Sequence, residues 1–345
     1  LLVSFVSLFD NMGVFQSVGG AATSGRGLTG QQVAEAIRAA ADEQRRRHID
    51  RTNETPQQQQ QGTTNSSSHR RSRSVVVRSM GDLDADAFSA TAEVRTKSSD
   101  GAEIIVTEYA PEAFCYLRQL EGVQEEQFCD EWTLPEERLK MELGEGRSMA
   151  MFLKSKSMEF MCKTISDVEV NVLLKRLQAY TQHLSENRHS LLMRFLMLLK
   201  VQVEEEVGYI LCFADIFAGC DRLNERWDIK GRRPKPGKYR QFPKWAEEQS
   251  HMQDVVPQAA PPTAPNTIGG ARQPQALVPH FDSEKLLTRK DKDLTRLFWL
   301  TDEEREELVH QLNQDFHFLR SCGLMDYSIL IGVKYRQESD SRRAR

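Results

Sequence analysis

The chain has 345 residues, of which 28% are charged and 39% hydrophobic, and its 46 basic and 50 acidic residues give a net charge of −4. That length allows one large domain or two ordinary ones. The near balance of charge argues against a protein that binds nucleic acid over its whole surface. The charge is nevertheless segregated, because residues 1–80 sum to +4 and the remainder to −8.

Six Cys residues, none of them in a Cys-x-x-Cys pair, stand mostly among apolar neighbours. Reduced, buried thiols are the favoured interpretation, and they indicate a cytosolic compartment. No run reaches the ~18–20 apolar residues that span a bilayer. The opening run at 1–9 lacks a basic leader, so a secretory signal is a poor fit. The tail of a longer helix, membrane-spanning or not, is the open alternative for that run.

Residues 1–79 predict a largely disordered region. Gly, Ser and Ala dominate 13–30, and 53–74 is rich in Gln and Ser, a composition that buries too little apolar surface to offset the entropy of ordering. Between them, 31–50 has the composition of a helix. Its small apolar face is formed by Val33, Ala36, Ile37 and Ala40. That face predicts a lone solvated helix, with a partner-binding helix as the alternative.

Residues 80–345 predict a domain of the α+β class, interrupted by a flexible insertion at 233–283 that is rich in Pro and Gly. Strand and helix patterns follow one another along it. Strands are expected at 102–109, 147–153, 159–164, 191–203 and 207–213, and helices at 111–120 and 168–184. Strands, a helix and more strands in this order indicate an antiparallel sheet that carries a helix.

The segment after Thr301 predicts a helix and then a strand. Thr301 and Glu304 have the spacing of a capping box, and Gly323 is a natural left-handed residue just after the helix. The apolar stripe of the helix is Leu308, Leu312, Phe316 and Leu319. Asp326 then falls in the turn before the strand, where a rigid scaffold presents functional groups.

A Gly-rich turn contains Gly144, Gly146 and Ser148, and Lys163 follows in the apolar string FMCKT. Glycines between two strands let backbone N–H groups approach phosphate oxygens, and a Lys on the next strand can neutralise them. Glu169 on the following helix is the candidate for orienting that Lys. The alternative is an ordinary turn and a strand-end Lys whose ammonium group lies in water.

A strongly basic run follows Asp228, with six cations in eleven residues and no acid. They are Lys230, Arg232, Arg233, Lys235, Lys238 and Arg240. Two Pro and two Gly keep the run out of a helix, so an exposed loop is expected. Near an anionic membrane each cation contributes about 1 kcal/mol. A nucleic-acid patch or a plain solvated loop would look similar.

Together, and in this order, these segments resemble the phosphatidylinositol phosphate kinase family over about residues 100–335. The family motifs are YAP-x-x-F-x-x-LR, IIKT, HSLL-x-RF, DLKGS, KDLDL and MDYSLLVGI. Their counterparts here are TEYAPEAFCYLRQLEGV, FMCKTISDVEVNVLLKRLQAYTQHLSENRHSLLMRFLML, Asp-Ile-Lys-Gly at 228–231, RKDKDL at 289–294 and LMDYSILIGV at 324–333.

The resemblance implies a two-lobed fold distantly like that of protein kinases, with antiparallel sheets. It also implies transfer of the ATP γ-phosphoryl group to an inositol-ring hydroxyl of a phosphatidylinositol monophosphate. On the matching positions, Lys163 would hold the ATP phosphates, and Asp326 would orient the attacking hydroxyl and accept its proton. Phe217 and Leu330 would sandwich the nucleotide base.

Further matching positions complete the implied site. Asp228 and Lys230 would lie near phosphates, and Asp215 stands where the family usually has Asn, which bears on recognition of the base. GEGRS places Arg147 in the phosphate cradle, and Arg232 replaces the Ser of DLKGS. ATP and Mg²⁺ are the implied cofactors.

In the family, a further magnesium-binding Asp and a substrate-selecting activation loop follow the last matched segment, and here twelve residues follow Val333. The catalytic domain is therefore expected to be incomplete. Loss of one electrostatic contributor typically costs ~10²–10³ in rate. Little or no lipid kinase activity is predicted for the chain as it stands.

The implied partner is a phosphatidylinositol monophosphate in an anionic membrane, with no nucleic acid and with a homodimer as an option. The expected location is cytoplasmic and peripheral, at the cytoplasmic face of membranes and of the plasma membrane first. A catalytically silent phosphoinositide-binding or scaffolding module is the second hypothesis. A protein kinase is disfavoured because the sequence has no HRD or DFG string.

Overall fold

The computed structural model describes residues 2–6, 27–53, 79–99, 101–144, 150–220, 223–231, 288–291, 298–324 and 327–335, with the backbone alone at 2–6 and 48–53. Helices and strands are mixed, and the strands form two sheets, one of them large and antiparallel. The fold is therefore α+β and kinase-like, as predicted. Much of the region predicted to be disordered, and the whole of the insertion at 233–283, lie outside the described residues.

The larger sheet has seven strands. They are β2 (Thr91–Lys97), β3 (Glu103–Tyr109), β4 (Glu142–Leu143), β5 (Met151–Lys154), β6 (Phe160–Ile165), β7 (Phe195–Val203) and β8 (Glu206–Ala214). Their order is β2-β3-β7-β8-β6-β5-β4, and every neighbouring pair is antiparallel. The strands predicted from apolar patterns are thus present, with ends shifted by a few residues.

The smaller sheet has four strands in the described part of the chain. They are β1 (Leu2–Val6), β9 (Glu225–Ile229), β10 (Thr288–Lys290) and β11 (Ser328–Val333). Their order is β1-β11-β9-β10, with only β9 and β10 parallel. Residues 2–6 therefore form a strand, and the alternative that this run ends a helix is wrong for them. The Val and Phe residues of the run favour extended backbone.

Five α-helices accompany the sheets in the described residues. They are α1 (Gly30–Asn53), α2 (Pro111–Leu120), α3 (Glu125–Asp130), α4 (Asp167–Glu186) and α5 (Asp302–Ser321). Both α4 and α5 begin with reciprocal capping boxes, and in α5 the pair is Thr301 with Glu304, as predicted. Gly323 has φ of +68°, so the predicted stop of α5 is also confirmed. Among these helices, none is both long and apolar enough to cross a bilayer.

Helix α1 packs on the larger sheet, so the prediction of a solvated helix is wrong. Its apolar face is fully buried. The buried residues of that face are Val33, Ala36, Ile37 and Ala40. They join a cluster with Ile104 of β3, Val201 of β7 and Phe128 of α3. At the start of the helix, a Cβ on Gly30 would come within 1.6 Å of the Leu139 carbonyl oxygen, so this position has no room for a side chain.

Two apolar clusters contact the larger sheet and position the rest of the molecule. One contains residues of α1 and α3. The other contains Phe114 of α2, Leu177 of α4 and Leu319 of α5. Because residues of β7 belong to both clusters, the strand reads as a continuous apolar run in the sequence. The second cluster anchors α5, the helix that precedes the predicted catalytic turn.

All six Cys residues are free, and all but the half-buried Cys220 are buried. Cys162 and Cys212 are direct cross-strand neighbours on β6 and β8 and are both fully buried. The thiols therefore serve as small apolar side chains in the core, as predicted.

Candidate functional site

Lys163 lies in the middle of β6, between Phe152 on β5 and Leu211 on β8. The residue is only 4% exposed. The alternative of a strand-end Lys with its ammonium group in water is therefore not what the structure shows. A Lys side chain is rarely buried to this extent, and the predicted role of Lys163 in holding the ATP phosphates stays a prediction.

The Gly-rich turn joins β4 to β5, the strand beside Lys163. The backbone N–H of Gly144 donates to the Ala150 carbonyl at 2.9 Å, which closes the hairpin. A Cβ on Gly144 would lie 2.6 Å from the Phe152 ring, so the position has no room for a side chain. Gly146 and Ser148 lie outside the described residues, and their phosphate-binding role stays a prediction.

Glu169 belongs to the N-terminal cap of α4. The Ser166 N–H and the Ser166 hydroxyl donate to its carboxylate at 2.6 and 2.8 Å, and its own N–H returns a bond to the Ser166 hydroxyl. These contacts account for Glu169 as a capping residue. Its predicted role in orienting Lys163 remains a prediction.

Asp215 fixes the segment that leaves β8 toward the smaller sheet. Its carboxylate accepts the Phe217 N–H at 3.0 Å and the Lys154 ammonium group at 3.3 Å. Its own N–H donates to the Glu159 carbonyl at 2.8 Å. The Asp therefore shapes the turn that carries Phe217, a local role that the sequence did not reveal.

Phe217 packs on β11, so the structure brings two predicted base-binding positions together. A Cβ on Gly332 would come within 2.7 Å of the Phe217 ring. Leu330 is two residues away from Gly332 in the same strand and so lies on the same face. Phe217 comes from the connection after the larger sheet and Leu330 from the smaller one, so the two predicted positions lie near the same face of β11.

Asp228 lies on β9 beside Leu330 on β11 and Lys290 on β10. The Lys290 ammonium group donates to Asp228 Oδ2 at 2.5 Å. Asp228 Oδ1 is buried and has no hydrogen-bond partner among the described residues. Leaving a buried acceptor unsatisfied costs about 1–3 kcal/mol, and a bound ion or water is one of the explanations for such a group.

Asp291 holds the end of β9. Its carboxylate accepts the backbone N–H groups of Lys230 and Gly231, the latter at 2.8 Å. Gly231 has φ of +64°, which a side chain would disfavour. Sequence reasoning identified the segments at 228–231 and 289–294 separately. It missed that Lys290 and Asp291 of the second segment bind the first. The opposite charges were the available signal, but about 60 residues separate them.

A groove of about 740 Å³ lies between α5 and the end of β9. It is lined by Lys230, Asn313, Phe316, His317, Arg320, Gly323, Leu324 and Tyr327. Leu324 and Tyr327 flank Asp326 in the sequence, and Asp326 itself lies outside the described residues. Of the six basic positions predicted to face a membrane, Lys230 is described, whereas Arg232, Arg233, Lys235, Lys238 and Arg240 also lie outside. Sequence reasoning missed His317 and Arg320.

The family model described as phosphatidylinositol-4-phosphate 5-kinase matches residues 134–345. A probable phosphatidylinositol phosphate kinase of Dictyostelium discoideum is 25% identical over 257 residues, which are 72% of this chain and 30% of that protein. Phosphatidylinositol 4-phosphate 5-kinase-like protein 1 of Homo sapiens is 27% identical over 261 residues, which are 75% of this chain and 55% of that protein.

The chain thus spans about a third to about half the length of these two curated relatives. The family match covers more than half of the chain and contains Lys163, Phe217, Asp228 and the β9–β11 pair on which the site is built. The chain belongs to the phosphatidylinositol-4-phosphate 5-kinase family.

Proposed function

We propose that this chain is the nucleotide-binding and headgroup-binding core of a lipid kinase that transfers the ATP γ-phosphoryl group to an inositol-ring hydroxyl of a phosphatidylinositol monophosphate. The observation that supports it best is the role of β11. This strand carries Leu330 next to Asp228 and, through Gly332, against Phe217. Asp326 stands four residues before Leu330 in the sequence. One short segment therefore carries both a predicted base-binding residue and the residue predicted to act on the acceptor hydroxyl.

On the nucleotide side, the chain's task is to position ATP and neutralise its phosphates. Phosphoryl transfer needs little covalent help, so positioned cations and dipoles account for most of the catalysis. Buried Lys163 supplies a fixed positive charge from the larger sheet, and Phe217 and Leu330 supply apolar surface for the base. Asp215 would keep Phe217 in place through its hydrogen bond to the Phe217 N–H.

Mg²⁺ would neutralise charge on the transferred phosphoryl group when bound. Carboxylate oxygens are the ligands that it prefers, and the buried Asp228 Oδ1 fits that requirement. The described residues contain no group of three side chains able to hold a metal ion. Asp228 therefore offers one ligand of an incomplete set, and no step is assigned to the metal.

On the acceptor side, Asp326 would orient the inositol hydroxyl and take its proton as the oxygen attacks phosphorus. A positioned general base contributes typically 10²–10⁴ in rate. The groove lined by Leu324 and Tyr327 lies beside this turn. The basic run from Lys230 to Arg240 would hold the chain at an anionic membrane on its cytoplasmic face.

Two substitutions test the proposal. In ATP titrations followed by calorimetry, Lys163→Met is expected to weaken ATP binding at least tenfold. Lys175→Met, at an exposed position of α4, is the control and should leave ATP binding unchanged. In a lipid kinase preparation that shows transfer from radiolabelled ATP, Asp326→Asn is expected to lower the rate by about 10²–10⁴ and to leave vesicle binding intact.

Transfer by Asp326→Asn at the unmodified rate would show that the base is misassigned. A wild-type chain that binds phosphoinositide vesicles but no ATP would contradict the proposed kinase function and favour a silent binding module.

A further inference from the structure

The groove between α5 and β9 has a basic wall made by two elements. Asn313, His317 and Arg320 recur at spacings of four and three, which places them on one face of α5. All three are exposed, and Lys230 contributes a second cation from the end of β9. The wall therefore presents donors and positive charge toward a single space, as a site for an anion does.

The charges of this wall are not consumed by ion pairs within the described structure. No described carboxylate lies within ion-pair distance of the Lys230, His317 or Arg320 side chains. Arg305, in the first turn of the same helix, is by contrast 3.8 Å from Asp302. The nearby Asp291 carboxylate is bound by backbone N–H groups. The Lys230 and Arg320 charges therefore remain available to a ligand, and His317 adds a ring N–H donor.

The position of Arg320 in the last turn of α5 has a simpler explanation, which is compensation of the negative end of the helix dipole. That explanation covers Arg320 but not Lys230, which belongs to another element. The helix end is also already capped. The N–H groups of Cys322, Gly323 and Leu324 donate to the carbonyls of residues 318, 320 and 319 at 3.0 Å each. These bonds reduce the partial negative charge that would repel an anion.

The remaining side of the groove is aromatic. The Phe316 and Tyr327 rings lie 5.4 Å apart between centroids, and both residues are half-buried. An inositol ring has a face of C–H groups that can pack on aromatic surface and an edge of hydroxyl and phosphate groups. A volume of about 740 Å³ is in the ~300–1,000 Å³ range of small-molecule sites. The groove thus combines an apolar face with a basic wall.

We propose that His317 and Arg320 of α5, together with Lys230, bind the phosphate of a phosphorylated inositol ring whose face packs on Phe316 and Tyr327. The inference rests on the proposed function, because it makes the groove, which is lined by the residues that flank Asp326 in the sequence, the acceptor site. It adds α5 as a contributor to substrate recognition. The exposed α5 residues would then determine how strongly the phosphorylated ring is held, separately from ATP.

The test measures binding of soluble inositol 1,4-bisphosphate to the full chain by calorimetry. Loss of one charge-assisted hydrogen bond corresponds to about a tenfold loss of affinity. Arg320→Gln is therefore expected to weaken binding about tenfold, and the double variant with His317→Gln to weaken it further. Arg305→Gln, on the same helix but outside the groove, serves as the matched control and is expected to bind like the wild type.

Three further measurements identify the source of the effect. Inorganic phosphate is expected to bind much more weakly than the bisphosphate, because it cannot use the aromatic face. Vesicles of phosphatidylcholine with phosphatidylinositol 4-phosphate should show the same order of variants as the soluble headgroup. Unfolding midpoints check that the exposed substitutions leave the fold intact.

Equal affinity of Arg320→Gln and Arg305→Gln for the bisphosphate would overturn the inference, as would wild-type affinity no higher than that for inorganic phosphate. ATP titrations separate this failure from failure of the proposed function. ATP binding that depends on Lys163 but is unchanged in Arg320→Gln leaves the kinase proposal standing, whatever the groove binds.

Discussion

The two sheets of this chain are stabilised in different ways. The larger sheet is buried by apolar clusters, and residues 195–199 at the start of β7 are all buried. The smaller sheet has strands of three to six residues, joined by polar contacts such as Lys290 with Asp228 and Arg226 with Thr288. The larger sheet is therefore an apolar scaffold that buries Lys163. The smaller sheet instead brings ionisable side chains together where phosphates are expected.

Asp315 fixes α5, which lines the groove beside the end of β9, to the scaffold around the larger sheet. This fully buried carboxylate on α5 accepts the Ser190 hydroxyl and the Leu191 N–H at 2.7 Å each, and it lies 2.7 Å from His183 of α4. The HSLL segment, identified in the sequence as a family motif, therefore positions α5 through its Ser and its backbone. The HSLL segment thus acts here by anchoring the helix that precedes the predicted catalytic turn.

The largest loss of stability is expected at Arg118, which is fully buried on α2 beside the larger sheet. Its guanidinium donates to the Glu125 carboxylate at 2.9 Å and to the Leu196 carbonyl at 2.5 Å. Removing one partner of a buried pair costs about 3–5 kcal/mol, so Arg118→Met should lower the free energy of unfolding by that amount in urea titrations. Arg289→Met in the smaller sheet should cost less, because the Arg289 side chain is 48% exposed and the buried Glu225 keeps its donors Trp227 and Tyr335. Similar losses at both positions would break the comparison.

The second effect concerns pH and Glu108 of β3, which accepts the Gln44 side-chain amide of α1 at 2.9 Å. Burial raises the pKa of Glu108 from 4.5 to about 7, although Arg118 opposes the shift. The folded chain therefore binds this proton more tightly than the unfolded chain. The resulting stabilisation is complete below pH 4.5 and is lost as the pH rises through 7.

Glu108→Gln keeps an acceptor for Gln44 but removes the ionisation. Above pH 7 the variant should be more stable than the wild type by about 3 kcal/mol, and its free energy of unfolding should vary less between pH 4.5 and 7. Glu103→Gln, an exposed position on the same strand, is the control and should not change the profile. Identical profiles for both variants would contradict the assignment.

The smallest effect is expected at the N-terminal caps of α4 and α5, two helices of the same apolar cluster. Thr301→Ala in α5 and Ser166→Ala in α4 each remove a side-chain bond to the third backbone N–H of the helix. A lost cap costs about 1 kcal/mol, and both variants should show it in thermal or urea unfolding. A much larger loss in Thr301→Ala would show that α5 depends on its cap more than α4 does. The contrast between the groove side of the molecule and the scaffold of the larger sheet would then be sharper.

Local elements were predictable because neighbouring residues determine them. The helix at 111–120 and the capped start of α5 follow from spacing and from side chains a few residues apart. Burial of α1 was not predictable, because the Ala-rich face looks too small until Ile104 and Val201 are known to lie against it. The mistaken solvated helix therefore reflects a missing partner and not a wrong helix pattern.

The sequence by itself determined the class of the fold, the order of its elements and, through its motifs, the family and the positions Lys163, Asp228 and Leu330. Only the tertiary structure decided which residues surround them. Lys290 and Asp291 contact the end of β9 from about 60 residues away, and α5 places His317 and Arg320 beside Lys230 across a still longer separation. Such contacts depend on how the sheets and helices pack, because no periodicity along the chain connects residues that far apart.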